Sequence, residues 1–469
     1  MKNVRLTLFA LALLVVGVCL SACGGGGSTP PPNNPNEWAW VSGANTGNQK
    51  GTYGTLGVAA SGNVPGARNS AVSWSDAAGN FWLFGGTGAD STGNTGLPLN
   101  DLWKYSNGEW TWVSGANLAG QSGSYGTLGT AAASNVPGAR FGAVGSSDPA
   151  GNLWLFGGYF ISPNGPAYNG ILNDLWKYSN GEWTWMSGAD TFNQNGTYGT
   201  EGVAAPGNVP GARAGAVSWT DATGNFWLFG GYGPDSSGNC CGYFNDFWKY
   251  SAGEWTWVGG SMMGNLEQGN YGTQGTAAPS NIPGARYGAV SWTDATGIFW
   301  LFGGSGLDNG GQGNLNDLWK YSNGEWTWMS GSSSPDQVGT YGTQGTAAPS
   351  NVPEARYGAV SWADASGNLW LFGGANYDET GGGGTFDDLW KYSNGEWTWM
   401  GGSNGLNQPV TYGKRGTASP GNTPGARYSA VGWTDASGNI WLFGGQYGIN
   451  STSSQSPTGN FNDLWRYEF

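Results

Sequence analysis

The phrase NDLWKYSNGEWTW occurs three times letter for letter, at residues 100–112, 173–185 and 316–328, and near-copies begin at Asn245 and Asp387. Only its tail, EWAW, stands at 37–40, and only its head, NDLWRYEF, closes the chain at 462–469. Repeats share one continuous core, so length alone does not divide such a chain into independent domains. An arginine marks the period at positions 68, 140, 213, 286, 356 and 427, spaced by 72, 73, 73, 70 and 71 residues, which defines six units.

Each unit holds four short runs with strand character. In the third they are AGAVSW (214–219), FWLFGG (226–231), DFWKYS (246–251) and EWTWVG (254–259), all aromatic or β-branched and bounded by Gly, Asn, Asp or Ser. Most units join the last two runs through Asn-Gly, a strong hairpin signal because both turn residues must accept positive φ. Four antiparallel strands repeated six times predict an all-β, six-bladed β-propeller. An open row of blades would expose apolar faces at its ends. The strand at 37–41 is therefore expected to pair with the strand at 462–468 as the outermost strand of the last blade, closing the ring.

The order Arg-x-x-Ala-Val, Phe-Gly-Gly, Asn-Asp-Leu-Trp-x-Tyr and Trp resembles the kelch motif over residues 37–469. The resemblance implies a propeller of the galactose-oxidase type. Two departures stand out. The period exceeds that of ordinary kelch repeats because phrases such as YGTQGTAAPSNIPGAR (271–286) are inserted between blades, and the chain has no histidine with which to supply the copper ligands of that oxidase. No cofactor and no metal site is expected.

Before the propeller, Lys2 and Arg5 precede an apolar stretch from Leu8 to Leu20, the pattern of a secretory signal over residues 1–22. LSAC at 20–23 resembles a bacterial lipobox, which makes Cys23 the expected lipidation site; an ordinary signal cut near Ala22 is the alternative. Residues 23–36, rich in Gly and Pro, read as a tether. These features predict a lipid-anchored protein of the bacterial cell envelope, at the outer membrane or cell surface, touching membrane only through its anchor. Loss of the leader's two basic groups takes the formal charge from −13 to −15, which disfavours nucleic acid as a partner. A monomer is expected.

Whatever recurs in every blade serves blade geometry first, because a single binding site needs asymmetry. All 29 tryptophans fall on repeat positions and read as core between blades. The connections from second to third strand vary in length and content, and they share a face with the long inter-blade segments, so this long-loop face is the expected ligand surface. Its candidate contacts are Tyr159, Phe160, Tyr232, Tyr377 and Tyr447. The resemblance puts the innermost strand just after the repeat arginine, which places Arg68, Arg140, Arg213, Arg286, Arg356 and Arg427 around the channel mouth, where some kelch propellers grip acidic peptides. The structural alternative pairs each with Asp101, Asp174, Asp246, Asp317, Asp388 or Asp463. Adjacent Cys240 and Cys241 could form a vicinal disulfide outside the cytoplasm or remain thiols.

Zero histidine excludes Ser-His and Cys-His catalysis. A carboxylate pair could still act on a glycosidic bond, but the unrepeated acids, Asp90, Asp190, Glu201, Asp235, Glu267, Asp308, Asp336, Glu354, Asp378 and Glu379, are scattered over the blades and show no pairing beyond the adjacent Asp378 and Glu379. The expectation is a non-catalytic recognition scaffold for a protein or glycan, with a carbohydrate-active enzyme as the second reading.

Overall fold

The computed structural model describes residues 36–166, 169–234, 242–264, 267–294, 296–376, 382–448 and 459–469. The leader, nearly all of the tether with Cys23, and Cys240, Cys241 and Tyr377 lie outside the described residues. Within them the secondary structure is strand, and no helix is long and apolar enough to cross a membrane.

Six four-stranded antiparallel blades form a ring. Blade 3 shows the plan, with Val217–Thr220 innermost, then Phe226–Gly233, Gly242–Ser251 and Glu254–Gly259 at the rim. Innermost strands touch their neighbours all the way round, including Val431–Thr434 of blade 6 against Val72–Ser75 of blade 1. Alternation sends one face of each strand toward each neighbouring blade. Six apolar clusters result, one at every junction; that between blades 6 and 1 combines Phe81, Leu83 and Trp103 with Trp433, Trp441 and Phe443.

Blade 6 takes its rim strand from the other end of the chain. Glu37–Ser42 pairs with Leu464–Glu468, setting Trp38 opposite Tyr467 and Trp40 opposite Trp465, with a register shift between Trp40 and Ser42. Unbroken blades show the same shift, as where Trp103 faces Trp112 and Leu102 faces Ser114 in blade 1. The split copy is thus folded in the register of an intact one.

The inserted segments have a purpose that repeats at each blade. Rim strands expose a row of carbonyls, and an open edge invites pairing with another chain. The segment leaving blade 6 covers the rim of blade 1: the Gly57 amide donates to the Trp112 carbonyl at 2.8 Å, and the Asn63 side chain donates to the Trp110 carbonyl at 3.0 Å. Equivalent bonds run from Gly129 to Trp185, Gly202 to Trp257, Gly275 to Trp328, Gly345 to Trp399 and Gly416 to Trp40. Each segment must reach from one blade to the far edge of the next, which accounts for its nearly constant length.

A second closure lies near the axis. Ser70, Gly142, Gly215, Gly288, Gly358 and Ser429, two residues after each arginine, have φ between 53° and 64°. Each amide donates to the matching carbonyl of the preceding blade, at 2.7–2.9 Å, and Ser70 completes the circle onto Ser429. The left-handed conformation turns the chain sharply into the innermost strand and suits glycine, which fills four of the six places.

Candidate functional site

The six arginines do not line the channel mouth as ligand donors. None is more than 1% exposed, and their aspartate partners are fully buried. Arg68 forms a two-pronged pair with Asp101 at 2.7 and 2.8 Å, and donates further to the Gly66 and Gly85 carbonyls. Tyr53 and Trp103 add their O–H and indole N–H to the same carboxylate, each at 2.7 Å. The same pairing recurs for Arg140 with Asp174, Arg213 with Asp246, Arg286 with Asp317, Arg356 with Asp388 and Arg427 with Asp463. The physical reason is desolvation: a guanidinium enclosed by a blade persists only when a carboxylate and carbonyls replace its water. These networks tie an inter-blade segment, which contributes Tyr and Arg, to the third strand, which contributes Asp and Trp.

Of the variable-loop candidates, Phe160 is buried, stacked on Phe192 with centroids 5.3 Å apart. Tyr447 is buried too, and its hydroxyl donates to the Asn407 carbonyl at 2.7 Å. These two serve loop packing. Tyr159 and Tyr232 remain partly exposed, and they lead to a cluster that sequence reasoning missed.

The residue after each arginine pairs with the residue after Phe-Gly-Gly. These couples are Asn69 with Thr87, Phe141 with Tyr159, Ala214 with Tyr232, Tyr287 with Ser305, Tyr357 with Ala375 and Tyr428 with Gln446. Their flanks, Arg and the left-handed residue on one side and Gly-Gly on the other, are nearly constant, so these twelve positions vary on a fixed frame around the axis. In blades 4, 5 and 6 a tyrosine follows the arginine, and the three make a chain: Tyr287 to Tyr357 at 6.0 Å between centroids, and Tyr357 to Tyr428 at 6.1 Å. Tyr243 of blade 3 extends it, stacked on Tyr287 at 5.1 Å and 27°, and Tyr232 lies 6.3 Å from Tyr287. Phe141 and Tyr159 form a separate pair at 5.4 Å in blade 2. All seven rings are partly exposed.

At the blade 6 end the tyrosines meet amides. The Tyr428 hydroxyl donates to Gln446 Oε1 at 2.8 Å, and Asn69 Nδ2 donates to Asn460 Oδ1 at 2.7 Å and to Gln446 Oε1 at 3.3 Å. At the other end Gln312 Nε2 donates to the Tyr243 hydroxyl at 3.3 Å. Burial, with Tyr243 and Tyr357 nearby, holds the Tyr287 phenol above its ordinary range, so it stays neutral. A signal for this crescent was present in the sequence: the position after the arginine reads Asn, Phe, Ala, Tyr, Tyr, Tyr over the six blades while its neighbours hardly change.

Inside the left-handed girdle the axial channel is lined by Ala-Val-Ser and Ala-Val-Gly triplets, such as Ala71–Ser73 and Ala143–Gly145, around a cavity of about 220 Å³. The polar groups there are serine hydroxyls, such as that of Ser73, and the backbone. The unrepeated acids do not converge in an open cleft among the described residues. Asp90 caps its own loop through the amides of Thr92, Gly93 and Asn94. Glu201 lies exposed on an inter-blade segment, and Asp308 is sealed beside Arg286 and Asp317. Asp235, Asp378 and Glu379 lie outside the described residues.

No family model and no curated protein sequence matches the chain. Among solved structures, it is similar to YjhT, with a TM-score of 0.48 and 14% identity over 88% of this chain and 95% of the other. It is similar as well to a fungal alcohol oxidase of the AA5 family in complex with copper, at 0.43 and 14% over 89% and 76%. A protein of unknown function from Dyadobacter fermentans scores 0.45 at 8% identity over 93% and 98%.

Proposed function

We propose that the protein is a kelch-type recognition scaffold, displayed outside the cytoplasm on a lipid anchor at Cys23, that holds a protein or glycan ligand on its long-loop face without catalysis. The observation that supports this is the tyrosine crescent, the place where a sixfold frame with paired charges departs from repetition on a partly exposed face. Tyrosine offers a broad flat face with a polar tip at low conformational cost, the combination that recognition surfaces favour. The second reading, an enzyme working through two carboxylates, finds less support among the described residues: Asp308 and Asp317, which share Arg286, are both fully buried.

The test is capture of envelope glycans and proteins by the chain from Asn34, which forms one compact unit, against a Tyr287→Ala, Tyr357→Ala variant. Ligand retained by the parent and lost by the folded variant supports the reading; equal retention by both contradicts it. Release of reducing sugar from a bound glycan would favour the enzyme instead. Incorporation of labelled fatty acid by the parent but not by Cys23→Ser checks the anchor.

A further inference from the structure

We infer that the ligand of the crescent is a neutral oligosaccharide, laid across the channel mouth with its rings on the tyrosines and one end on the amides of blades 6 and 1. The inference rests on the recognition reading above and narrows it to one chemical class.

Three observations carry it. The first is the absence of charge among the described residues that make the surface. The crescent and its ends consist of Tyr243, Tyr287, Tyr357 and Tyr428 with Gln312, Gln446, Asn69 and Asn460, all neutral. Repeat arginines close by in sequence are sealed against aspartates, so no guanidinium among them faces a uronate, sialate or sulfate ester. An anionic ligand would therefore approach a chain of formal charge −13 without a compensating cation. A charged peptide anchor of either sign finds no described counter-charge in the crescent either.

The second observation is spacing. Successive centroids along Tyr243, Tyr287, Tyr357 and Tyr428 lie 5.1, 6.0 and 6.1 Å apart, comparable with the length of one pyranose residue in a chain. The rings are turned to one another by 27°, 37° and 68° in turn, so they offer a stepped row of aromatic faces and edges against which the C–H groups of consecutive sugars can pack, whereas a protein hot spot would be a deep pocket filled by one anchor.

The third is the amide cluster. Gln446 Oε1 already accepts from Tyr428 and Asn69, while Gln446 Nε2 has no partner among the described residues. A partly exposed amide that is fixed at one atom and open at the other is a preset donor for a sugar hydroxyl, and fixed side chains lose little entropy when they bind. The crescent supplies stacking and the cluster supplies orientation.

The experiment is calorimetry with the full-length protein against a panel of neutral oligosaccharides of glucose, galactose and mannose, beside matched oligomers carrying uronate or sulfate. The expected result is binding of a neutral member that changes little between about 0.05 and 0.5 M salt. That binding should weaken at least about tenfold in Tyr287→Ala and in Gln446→Ala, a change of roughly 1.4 kcal/mol or more, and should persist in Tyr287→Phe, which keeps the ring face. Tighter binding of the charged oligomers, or no neutral binder while a protein is captured in a crescent-dependent way, overturns the neutral-sugar inference and leaves the recognition reading standing. Binding of any ligand that is indifferent to all three variants overturns both.

Discussion

Two buried acids show how much one atom matters in a repeated frame. In five blades the residue before the third-strand aspartate is Asn, and its Nδ2 donates to the proline carbonyl three residues before the next blade's arginine, as from Asn100 to Pro137 at 3.3 Å and from Asn173 to Pro210 at 3.2 Å. Blade 5 has Asp387 there instead. A carboxylate has no hydrogen to give, so Pro424 takes its bond from Arg427 Nη2, and Arg427 Nε is left without a partner. Burial pushes the Asp387 carboxyl up to about 6.

Asp308 is pushed up to about 7 by its own burial and by Asp317, against the pull of Arg286. It faces Arg286 Nη2 at 3.6 Å and the Tyr271 hydroxyl, while Tyr271 also bonds Asp317 at 2.7 Å. Two carboxylates share one guanidinium, and a proton on Asp308 balances the charge. Both acids have folded-state pKa values above the unfolded value near 3.9, so the fold holds protons that the unfolded chain has released. The stability they contribute is complete below about pH 4 and is lost as pH rises through 6 and 7. Urea unfolding should therefore show a lower midpoint at pH 8 than at pH 5. Asp387→Asn, which restores the donor to Pro424 and removes a buried charge, should raise stability at pH 8 by about 1–3 kcal/mol; an unchanged or lower midpoint would contradict this account. The arginine–aspartate pairing was legible from counting, one acid for every arginine in each blade. The consequence of Asp387 was not, because its partner carbonyl belongs to the next blade.

At the scale of an element, the hairpin between third and fourth strands tests the turn argument. Asn107, Asn180, Asn323 and Asn394 occupy its first turn position at φ 52–53°, and Ala252 is forced to φ 52° in blade 3. An alanine there bears the left-handed cost of about 1–2 kcal/mol that asparagine partly avoids. Ala252→Asn should raise the urea midpoint by an amount corresponding to about 0.5–1 kcal/mol, and a fall would contradict the turn assignment. Here the sequence could be read directly, since Asn-Gly announces its own geometry. The inter-blade segments were legible only as insertions between blades on the long-loop face. That they cover the next blade's rim, donating to Trp112, Trp185 and their equivalents, depended on bonds that no local pattern encodes.

At the scale of the whole molecule, closure was readable from the split phrase, because an incomplete copy at each end has an obvious complement. The ring is closed twice, by the strand pair Glu37–Ser42 with Leu464–Glu468 at the rim and by the six left-handed residues near the axis. The long-loop face was readable from the loop lengths, whereas the crescent proposed as its binding surface left only a faint signal, the run Asn, Phe, Ala, Tyr, Tyr, Tyr after the repeat arginines. Phe160 and Tyr447 looked like contacts because they sit in variable loops, yet both pack inward, while Tyr287, Tyr357 and Tyr428 were hidden inside the repeat motif itself. Deleting residues 36–42 should remove the rim closure and lower the melting temperature, since Trp38 leaves its contacts with Phe372 and Tyr467.

The proposed division of labour, a repeated scaffold that carries an unrepeated binding site, belongs to the whole ring. It is tested most directly by recording the melting temperature of Tyr287→Ala, Tyr357→Ala beside its binding isotherm for whichever oligosaccharide the parent holds. The account predicts a melting temperature within about 2–4 °C of the parent, the shift that 1 kcal/mol brings in a large domain, together with loss of measurable binding. A melting temperature that collapses as it would for a buried core residue, or an isotherm that survives the double substitution, would contradict it.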